Sequence, residues 1–594
     1  MSDITNRLEM IRNLMVEEQI DAWVDFGSDP HGSEYVAPRW RTRAWISGFT
    51  GSAGTIVITQ ETALLWVDSR YHIQAAQQIS GTPFKLQRLG NPGVVDHTQW
   101  ILDNLPLGAT VGTTGLTVSI AVGRSMRETL SRKGVNLVYT EDWLDTIWQE
   151  RPSLPCELVR AQDVAIAGTS ARAKIEKVRE TIATYGCSYT VVSSLDDIAW
   201  LLNLRGSDIA FNPVFLAYLL IGEKEVVLFT EASRVDSSWM HDFSSFGEVR
   251  GYEEIFNYLP QVFKETDTVF LSPEKTSVTL LKAIPVGINL VEGRDISTNL
   301  KAKKSYIEIE GMRRAHVLDG IAMVKLLSQL NRAEKVYTEL SIAEALENFR
   351  SEHEEYLGPS FSPIAGFGPH GALAHYSASK ESSVDLLGDG LLVLDTGGQY
   401  ATGTTDITRT LLFGEPSDQM KRDYTLVLKG NLALAAQRFP VGTYGYQLDI
   451  LARQFLWQAG YSYGHGTGHG VGFCLNVHEG PFNISPKPIT VAIEQGMVMS
   501  DEPGIYREGL YGIRLENLLV AQSSGTTEFG EFLAFDVLSL CPFERKLIEV
   551  SLLTEPEIQM LNAYHGWVYD ELSDKLPEAD KSWLEEATLP LSAL

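Results

Sequence analysis

The last third of the chain carries acidic and histidine residues whose types and placing suit a metal site. Asp395 closes the apolar run Leu391-Leu392-Val393-Leu394 and leads into Thr396-Gly397-Gly398, and Asp406 follows eleven residues later, ahead of Ile407-Thr408-Arg409-Thr410. His465 and His469 stand in Gly464-His465-Gly466-Thr467-Gly468-His469-Gly470, and His478 precedes Glu479-Gly480-Pro481. Glu502 ends the segment Met497-Val498-Met499-Ser500-Asp501, and Glu516 lies in Gly512-Ile513-Arg514-Leu515-Glu516. Carboxylates at the ends of buried runs need partners, because an unpaired buried charge is heavily penalised. Four of them with one imidazole are what two hard divalent cations require.

Each residue alone has a plainer reading. Asp395 and Asp406 fit turn aspartates that bond their own backbone. Together, with Gly397, Gly398 and Gly403 between them, they read as a hairpin that brings both carboxylates to one side. Asp395-Thr396-Gly397 also invites an aspartic-protease reading, but that chemistry needs two such tripeptides sharing a proton, and no second one occurs. His465 and His469, four apart, would share a helical face as in H-E-x-x-H sites. No glutamate follows His465, and the glycines instead suggest backbone lying close to a ligand or another strand. Nor does the segment end in the Gly-Lys-Ser/Thr of a phosphate-cradling loop. The stretch 512–520 reads as one strand on which Arg514 and Glu516 share a face.

These residues sit in a chain of 594 residues, too long for one hydrophobic core. Its formal charge of -27 argues against non-specific binding to nucleic acid or to anionic membrane surfaces. The four cysteines are scattered and never in C-x-x-C spacing, so neither a zinc ribbon nor a disulfide framework is expected. The first residues lack the basic start and apolar core of a signal peptide, and no uninterrupted apolar run reaches spanning length. A soluble, cytoplasmic protein is the expectation.

Helix–strand alternation gives the fold class as α/β (α+β). A helix with apolar residues at Leu8, Ile11, Leu14 and Met15 precedes strands at 21–26, 55–59 and 63–67. A second block repeats the pattern weakly, with a helix at 175–185, a strand at 189–192, a segment 198–206 that echoes 43–48, and a strand at 225–229. Such self-similarity suggests duplication of one α/β unit. Arg151-Pro152-Ser153-Leu154-Pro155 reads as a boundary. From Lys301-Ala302-Lys303-Lys304 a helical region runs to Phe349 with a break at 332–338, followed by a glycine- and proline-rich passage at 358–375. Helices at 418–439 and 447–459 separate the two halves of the acidic region, and acidic amphipathic helices at 554–586 pack on the outside.

The set Asp395, Asp406, His469, Glu502 and Glu516 resembles the five-ligand set of the pita-bread metallopeptidases. Gly403-Thr404-Thr405-Asp406-Ile407-Thr408-Arg409-Thr410, His465-Gly466-Thr467-Gly468-His469-Gly470-Val471-Gly472 and His478-Glu479-Gly480-Pro481 are most similar to the aminopeptidase P branch. Ser28-Asp29-Pro30-His31, Ser47-Gly48-Phe49-Thr50-Gly51-Ser52-Ala53-Gly54 and Leu195-Asp196-Asp197-Ile198-Ala199-Trp200-Leu201-Leu202-Asn203-Leu204-Arg205-Gly206-Ser207-Asp208 extend the likeness over nearly the whole length, in the manner of the long three-domain cytosolic type. The resemblance implies two creatinase-like N-terminal domains (1–155 and 156–304), a pita-bread catalytic domain (305–540) and a C-terminal helical extension of it (541–594). Departures are His370 in Gly368-Pro369-His370-Gly371, where asparagine is expected, and Ala374 before His375, where a larger aliphatic residue is usual.

The resemblance further implies the chemistry. Asp406 and Glu516 bridge two divalent metal ions, Asp395 completes one coordination sphere, and His469 with Glu502 completes the other. The oxygen-rich donor set suits Mn2+, and the two cations lower the pKa of a water shared between them, a role the general chemistry of two-metal aminopeptidases illustrates. Glu502 shuttles the water proton to the leaving nitrogen, His375 and His478 polarise or position the tetrahedral intermediate, and His465, Arg514 and Arg70 bind substrate. The expected reaction releases the first residue of peptides with proline second, by a homodimer. Two alternatives stand beside it: a prolidase-type dipeptidase restricted to Xaa-Pro, and a metal-free binding module on the same fold.

Overall fold

The computed structural model describes residues 3–332 and 335–592. The chain divides into two compact units, one running to Ala161 and again from Thr169 to Ser297, the other comprising Gln162–Gly168 and the chain from Thr298 onward. Coil at 151–158 occupies the place where two prolines oppose regular structure.

The first unit holds two six-stranded sheets. Strands β1 (Ala22–Asp25), β2 (Thr55–Thr59), β3 (Ala63–Val67), β4 (Phe84–Arg88), β5 (Thr110–Thr114) and β6 (Asn136–Thr140) lie in the order β4-β3-β2-β1-β5-β6. The second sheet repeats that order with Tyr189–Val192, Tyr218–Gly222, Val226–Phe229, Glu248–Arg250, Thr268–Leu271 and Asn289–Glu292 in the corresponding roles. Parallel and antiparallel pairings also match: the first strand is antiparallel to the second and parallel to the fifth in each sheet. Both echoing segments contain a helix. Thr42–Ser47 stops at Gly48 and Leu195–Leu202 stops at Asn203, both left-handed, with φ of 82° and 52°. Glycine and asparagine are the residues that end a helix this way at least strain.

The second unit is built around a long helix, Tyr306–Asn331, whose first turn is closed by a reciprocal cap between Ser305 and Glu308. The expected break before the next helix, Glu339–Arg350, includes Ala333 and Glu334, which lie outside the described residues. A six-stranded sheet follows the spatial order Arg438–Pro440, Gly530–Val537, Asn517–Thr527, Val498–Asp501, Gly468–Gly470, Glu479–Ile484. Beside it a smaller sheet holds Ile364–Phe367, Gly390–Thr396 and Ile407–Phe413. Helices Asp418–Ala435 and Gly445–Gln458 separate the halves. The first stops short of the expected 439 because Phe439 enters the edge strand against Leu533.

One further expectation needs correction. The stretch 512–520 is not one strand: Tyr511–Arg514 pairs with Gly504–Arg507, and the chain then leaves at Leu515 and Glu516 to enter the six-stranded sheet at Asn517. The terminal helices Glu555–Leu572 and Glu578–Ala587 pack by an apolar face, with Leu561, Val568, Leu572 and Leu584 fully buried. Within the charged run at 301–304, Lys301 and Lys304 are buried and both pair with the buried Glu479, Lys301 at 2.8 Å, while Lys303 is exposed. Replacing Glu479 by leucine removes the carboxylate that both buried ammonium groups share, so Glu479→Leu should destabilise the protein by about 3–5 kcal/mol. Urea unfolding measures this, and an unchanged midpoint would mean that the lysines reach water.

Candidate metal centre

Asp395 and Asp406 meet through the hairpin. Gly390–Thr396 and Ile407–Phe413 are antiparallel with Asp395 opposite Thr408 and Thr396 opposite Ile407, so Asp406 enters its strand at the end where Asp395 leaves. The turn is tight: a Cβ on Gly397 would lie 2.1 Å from the Thr405 carbonyl oxygen. Glu516 is drawn to the same place by the Ile407–Phe413 strand. Its N–H donates to the Thr408 carbonyl (3.0 Å), the Thr408 hydroxyl donates to its Oε2 (2.7 Å), and Arg409 Nη1 donates to its carbonyl (2.7 Å).

His469 and Glu502 come from the six-stranded sheet. Gly468–Gly470 lies between Val498–Asp501 and Glu479–Ile484, and glycines at both ends allow the approach, since a Cβ on Gly468 would meet the Ser500 carbonyl at 1.9 Å. Ser500 Oγ accepts from the His469 N–H (3.0 Å) and donates to Glu502 Oε1 (3.4 Å). His469 Nδ1 donates to the Gly470 carbonyl (3.0 Å), which leaves Nε2 facing Asp406 Oδ2 at 3.5 Å and Glu502 Oε1 at 3.7 Å. Such a bond to the far nitrogen sets the tautomer that can ligate.

Among the described residues, Asp406, His469 and Glu516 offer donor atoms that all lie within 4.8 Å of one another. Asp395 and Glu502 belong to the same electrostatic cluster, since both act on the Glu516 carboxyl. Burial, reinforced by Asp406, Glu502 and Asp395, pushes Glu516 well above the carboxylate range, and burial likewise raises Asp406. Burial pushes Glu502 up to about 7. Burial alone would depress His469, but Asp406 and Glu502 override it and carry the imidazole up to about 9. Four buried carboxylates thus share Arg514 and His469 as cations. Arg514 Nη2 bonds Asp395 Oδ2 (2.5 Å), while Asp395 Oδ1 is buried with no protein partner. The orphaned acceptor, the oxygen-rich donor set and the shortage of positive charge fit divalent cations.

The remaining expected site residues stand as follows. The His478 ring packs edge-on against His469 with centroids 4.4 Å apart. His375 lies in the segment after Gly368–Ala372 and helps to depress His465. Burial first, then Arg514, hold His465 down at about 3, and both its nitrogens are engaged: Nδ1 donates to the Gly466 carbonyl (2.7 Å), Nε2 accepts from the Tyr506 hydroxyl (2.8 Å). Arg70 belongs to the N-terminal unit, where it pairs with Asp68 at 2.7 Å.

Sequence reasoning missed Tyr506 and the pair Asp449–Arg453. The Tyr506 hydroxyl accepts from Arg514 Nη1 (2.7 Å), completing a chain from Asp395 through Arg514 to His465. Its signal was the alternation of Gly504 and Tyr506 after Pro503. Arg453 bonds Asp449 (2.6 Å) and the carbonyls of Tyr463 and His465, and Asp449 accepts from the Thr467 hydroxyl (2.7 Å), so this i, i+4 pair holds the glycine–histidine segment.

The model of metallopeptidase family M24 matches residues 310–523, that of the C-terminal region of peptidase M24 matches 531–591, and creatinase/prolidase N-terminal domain models match 7–147 and 150–308. Two creatinase-like sheets followed by this site define a pita-bread metallopeptidase: the chain belongs to family M24. It is 38% identical to the probable Xaa-Pro aminopeptidase P of Aspergillus niger over 99% of both chains. An X-prolyl aminopeptidase from Caenorhabditis elegans, described as a cytosolic enzyme with a di-nuclear active site, superposes over 100% of both chains with a TM-score of 0.95 and 32% identity. An Xaa-Pro dipeptidase from Bacillus anthracis matches 63% of this chain and 99% of its own, with a TM-score of 0.51 and 25% identity. No helix among the described residues is long and apolar enough to cross a membrane.

The raised pKa values carry a pH dependence with a definite sign. Without metal, Glu502 titrates at about 7 against an ordinary 4.5, and His469 at about 9 against 6.5. The folded chain therefore holds protons that the unfolded chain releases. Their stabilisation is complete below the unfolded values and is lost as pH rises through about 7 and then about 9. In EDTA the thermal midpoint should fall between about pH 6 and about pH 9, and saturating Mn2+ should remove most of that fall by replacing the protons. A midpoint that rises with pH in EDTA would contradict this electrostatic picture.

Proposed function

We propose that this chain is a metal-dependent aminopeptidase that releases the first residue from peptides whose second residue is proline. The observation that carries the reading is the convergence of Asp395, Asp406, His469, Glu502 and Glu516 in one buried cluster short of positive charge. Full-length likeness to Xaa-Pro aminopeptidases P supports the substrate class.

Asp406 and Glu516 would bridge two cations, with Asp395 on one and His469 and Glu502 on the other. Manganese suits this donor set, in which oxygen outnumbers nitrogen. When bound, the cations supply Lewis-acid polarisation and a water of lowered pKa. The protein's own groups do the rest. Glu502, which faces His469 and accepts from the Ser500 hydroxyl, moves a proton from the attacking water to the leaving nitrogen. His375 and His478 donate toward the carbonyl oxygen as it gains charge. Arg514 holds Asp395 by its Nη2 and Tyr506 by its Nη1, and with His465 it forms wall rather than reagent. The leaving nitrogen belongs to a tertiary amide, so the pocket must accept a ring that ordinary peptidases exclude.

A cytoplasmic homodimer completes the proposal; the description of the nematode enzyme as cytosolic supports the location. With Mn2+, the purified protein should release the first residue of Xaa-Pro-Xaa tripeptides faster than it splits Xaa-Pro dipeptides. Asp406→Ala and His469→Ala should each lower kcat/KM by roughly a thousandfold or more, the scale of losing a main electrostatic group. Turnover retained in either variant would remove the proposed site, and preference for the dipeptide would favour prolidase-type cleavage.

A further inference from the structure

Outside the metal cluster, a buried and fully bonded carboxylate that no step above uses is Glu339. It is the first residue of helix Glu339–Arg350, capped by Thr338, and its side chain is inaccessible to solvent. A carboxylate at a helix N-terminus is stabilised by the unpaired N–H groups there. Four donors converge on it from a single stretch of chain. Oε1 accepts from the Phe367 N–H (2.8 Å) and from His370 Nδ1 (2.8 Å); Oε2 accepts from the Tyr376 hydroxyl (2.9 Å) and the Val384 N–H (3.2 Å).

Those donors bracket His375. Phe367 and Val384 are the two ends of the strap, and His370 and Tyr376 lie within it. Backbone bonds seal the closing end: Glu339 N–H donates to the Val384 carbonyl (3.2 Å) and Leu386 N–H to the Tyr337 carbonyl (2.8 Å). The opening end is fixed by contact, since a Cβ on Gly512 would lie 1.7 Å from the Gly371 carbonyl oxygen, two residues before Arg514 in the neighbouring strand. The His370 and Tyr376 rings stack with centroids 4.5 Å apart, so the two side chains that reach Glu339 also brace each other. Burial, opposed by Ser382 and aided by Glu339, pushes the Tyr376 phenol up to about 12, and it remains a donor. His375, next in sequence to Tyr376, acts instead on His465.

We propose that Glu339 is a positioning residue: by gathering Phe367, His370, Tyr376 and Val384 onto one carboxylate, it closes the 367–384 strap and fixes where His375 stands against the substrate carbonyl. The inference rests on the reading above in which His375 acts on the reacting peptide. Glu339→Gln keeps the volume but turns one acceptor oxygen into a donor that faces other donors. The strap then shifts while the metal cluster, which shares no ligand with it, stays intact.

The test is a double-mutant cycle on the full-length Mn2+ enzyme with an Xaa-Pro-Xaa tripeptide, reading kcat and KM separately, with metal content and thermal midpoint alongside. Glu339→Gln should lower kcat roughly tenfold to a hundredfold, the scale of a misplacement of about an ångström, with metal stoichiometry unchanged. In a His375→Ala background the same change should lower kcat less than about twofold, because the group it positions is gone. Tyr376→Phe, which removes one donor without touching charge, should follow the same pattern at smaller amplitude, and it takes the place of Glu339→Gln in the cycle if that variant does not fold. Equal losses in both backgrounds, or none in the wild-type background, overturn the positioning role. If His375→Ala itself keeps wild-type kcat, the reading of His375 falls and this inference with it. An impaired His375→Ala beside a normal Glu339→Gln overturns the inference alone.

Discussion

The structure of the C-terminal unit follows from a single electrostatic problem, the gathering of four carboxylates where water is largely excluded. Asp395, Asp406 and Glu516 are buried, and Glu502 is mostly so. Arg514 and His469 pair with them directly, and His478 also acts on Asp406. Left alone, such a cluster keeps its protons, as the raised Asp406, Glu502 and Glu516 carboxyls do. Two divalent cations would release those protons and supply the missing charge.

Meeting that demand requires backbone to come closer than side chains ordinarily permit. Glycines stand where neighbouring carbonyls approach, at Gly397 against Thr405, Gly468 against Ser500 and Gly512 against Gly371. Polar side chains are then aimed from behind. Thr408 holds Glu516, Ser500 bridges His469 to Glu502, and Tyr506 links Arg514 to His465. Arg409 extends this support outward: it bonds the Glu516 carbonyl, the carbonyls of Cys541 and Pro542, and the Tyr564 hydroxyl of the penultimate helix. The terminal helices are therefore tied to the metal cluster through one buried guanidinium.

Much of this was legible from sequence, for physical reasons. Strands 55–59, 63–67 and 189–192 were found at their observed bounds because their apolar runs are bounded by turn residues. The Asp395–Asp406 hairpin was readable because glycines mark the turn and an acid ends each run. The M24 likeness could be drawn residue by residue, since metal ligands are side chains fixed by chemistry. What stayed hidden depends on tertiary partners. A Lys301–Lys304 run looks solvated until Glu479 is found between its ends. Nothing local marks Glu339 as a hub, because its partners lie some thirty to forty-five residues later. Strand alternation through 512–520 concealed a change of sheet, because Leu515 bonds back to Pro503 and Glu516 to Thr408 instead of to a continuing ladder.

Anomalous diffraction from crystals grown with Mn2+, recorded on both sides of the manganese edge, examines the carboxylate cluster most directly. Two peaks should appear, both within the ring formed by Asp395, Asp406, His469, Glu502 and Glu516, with Asp406 and Glu516 touching both. A single peak, or manganese bound elsewhere with these five side chains unliganded, would contradict a two-cation centre.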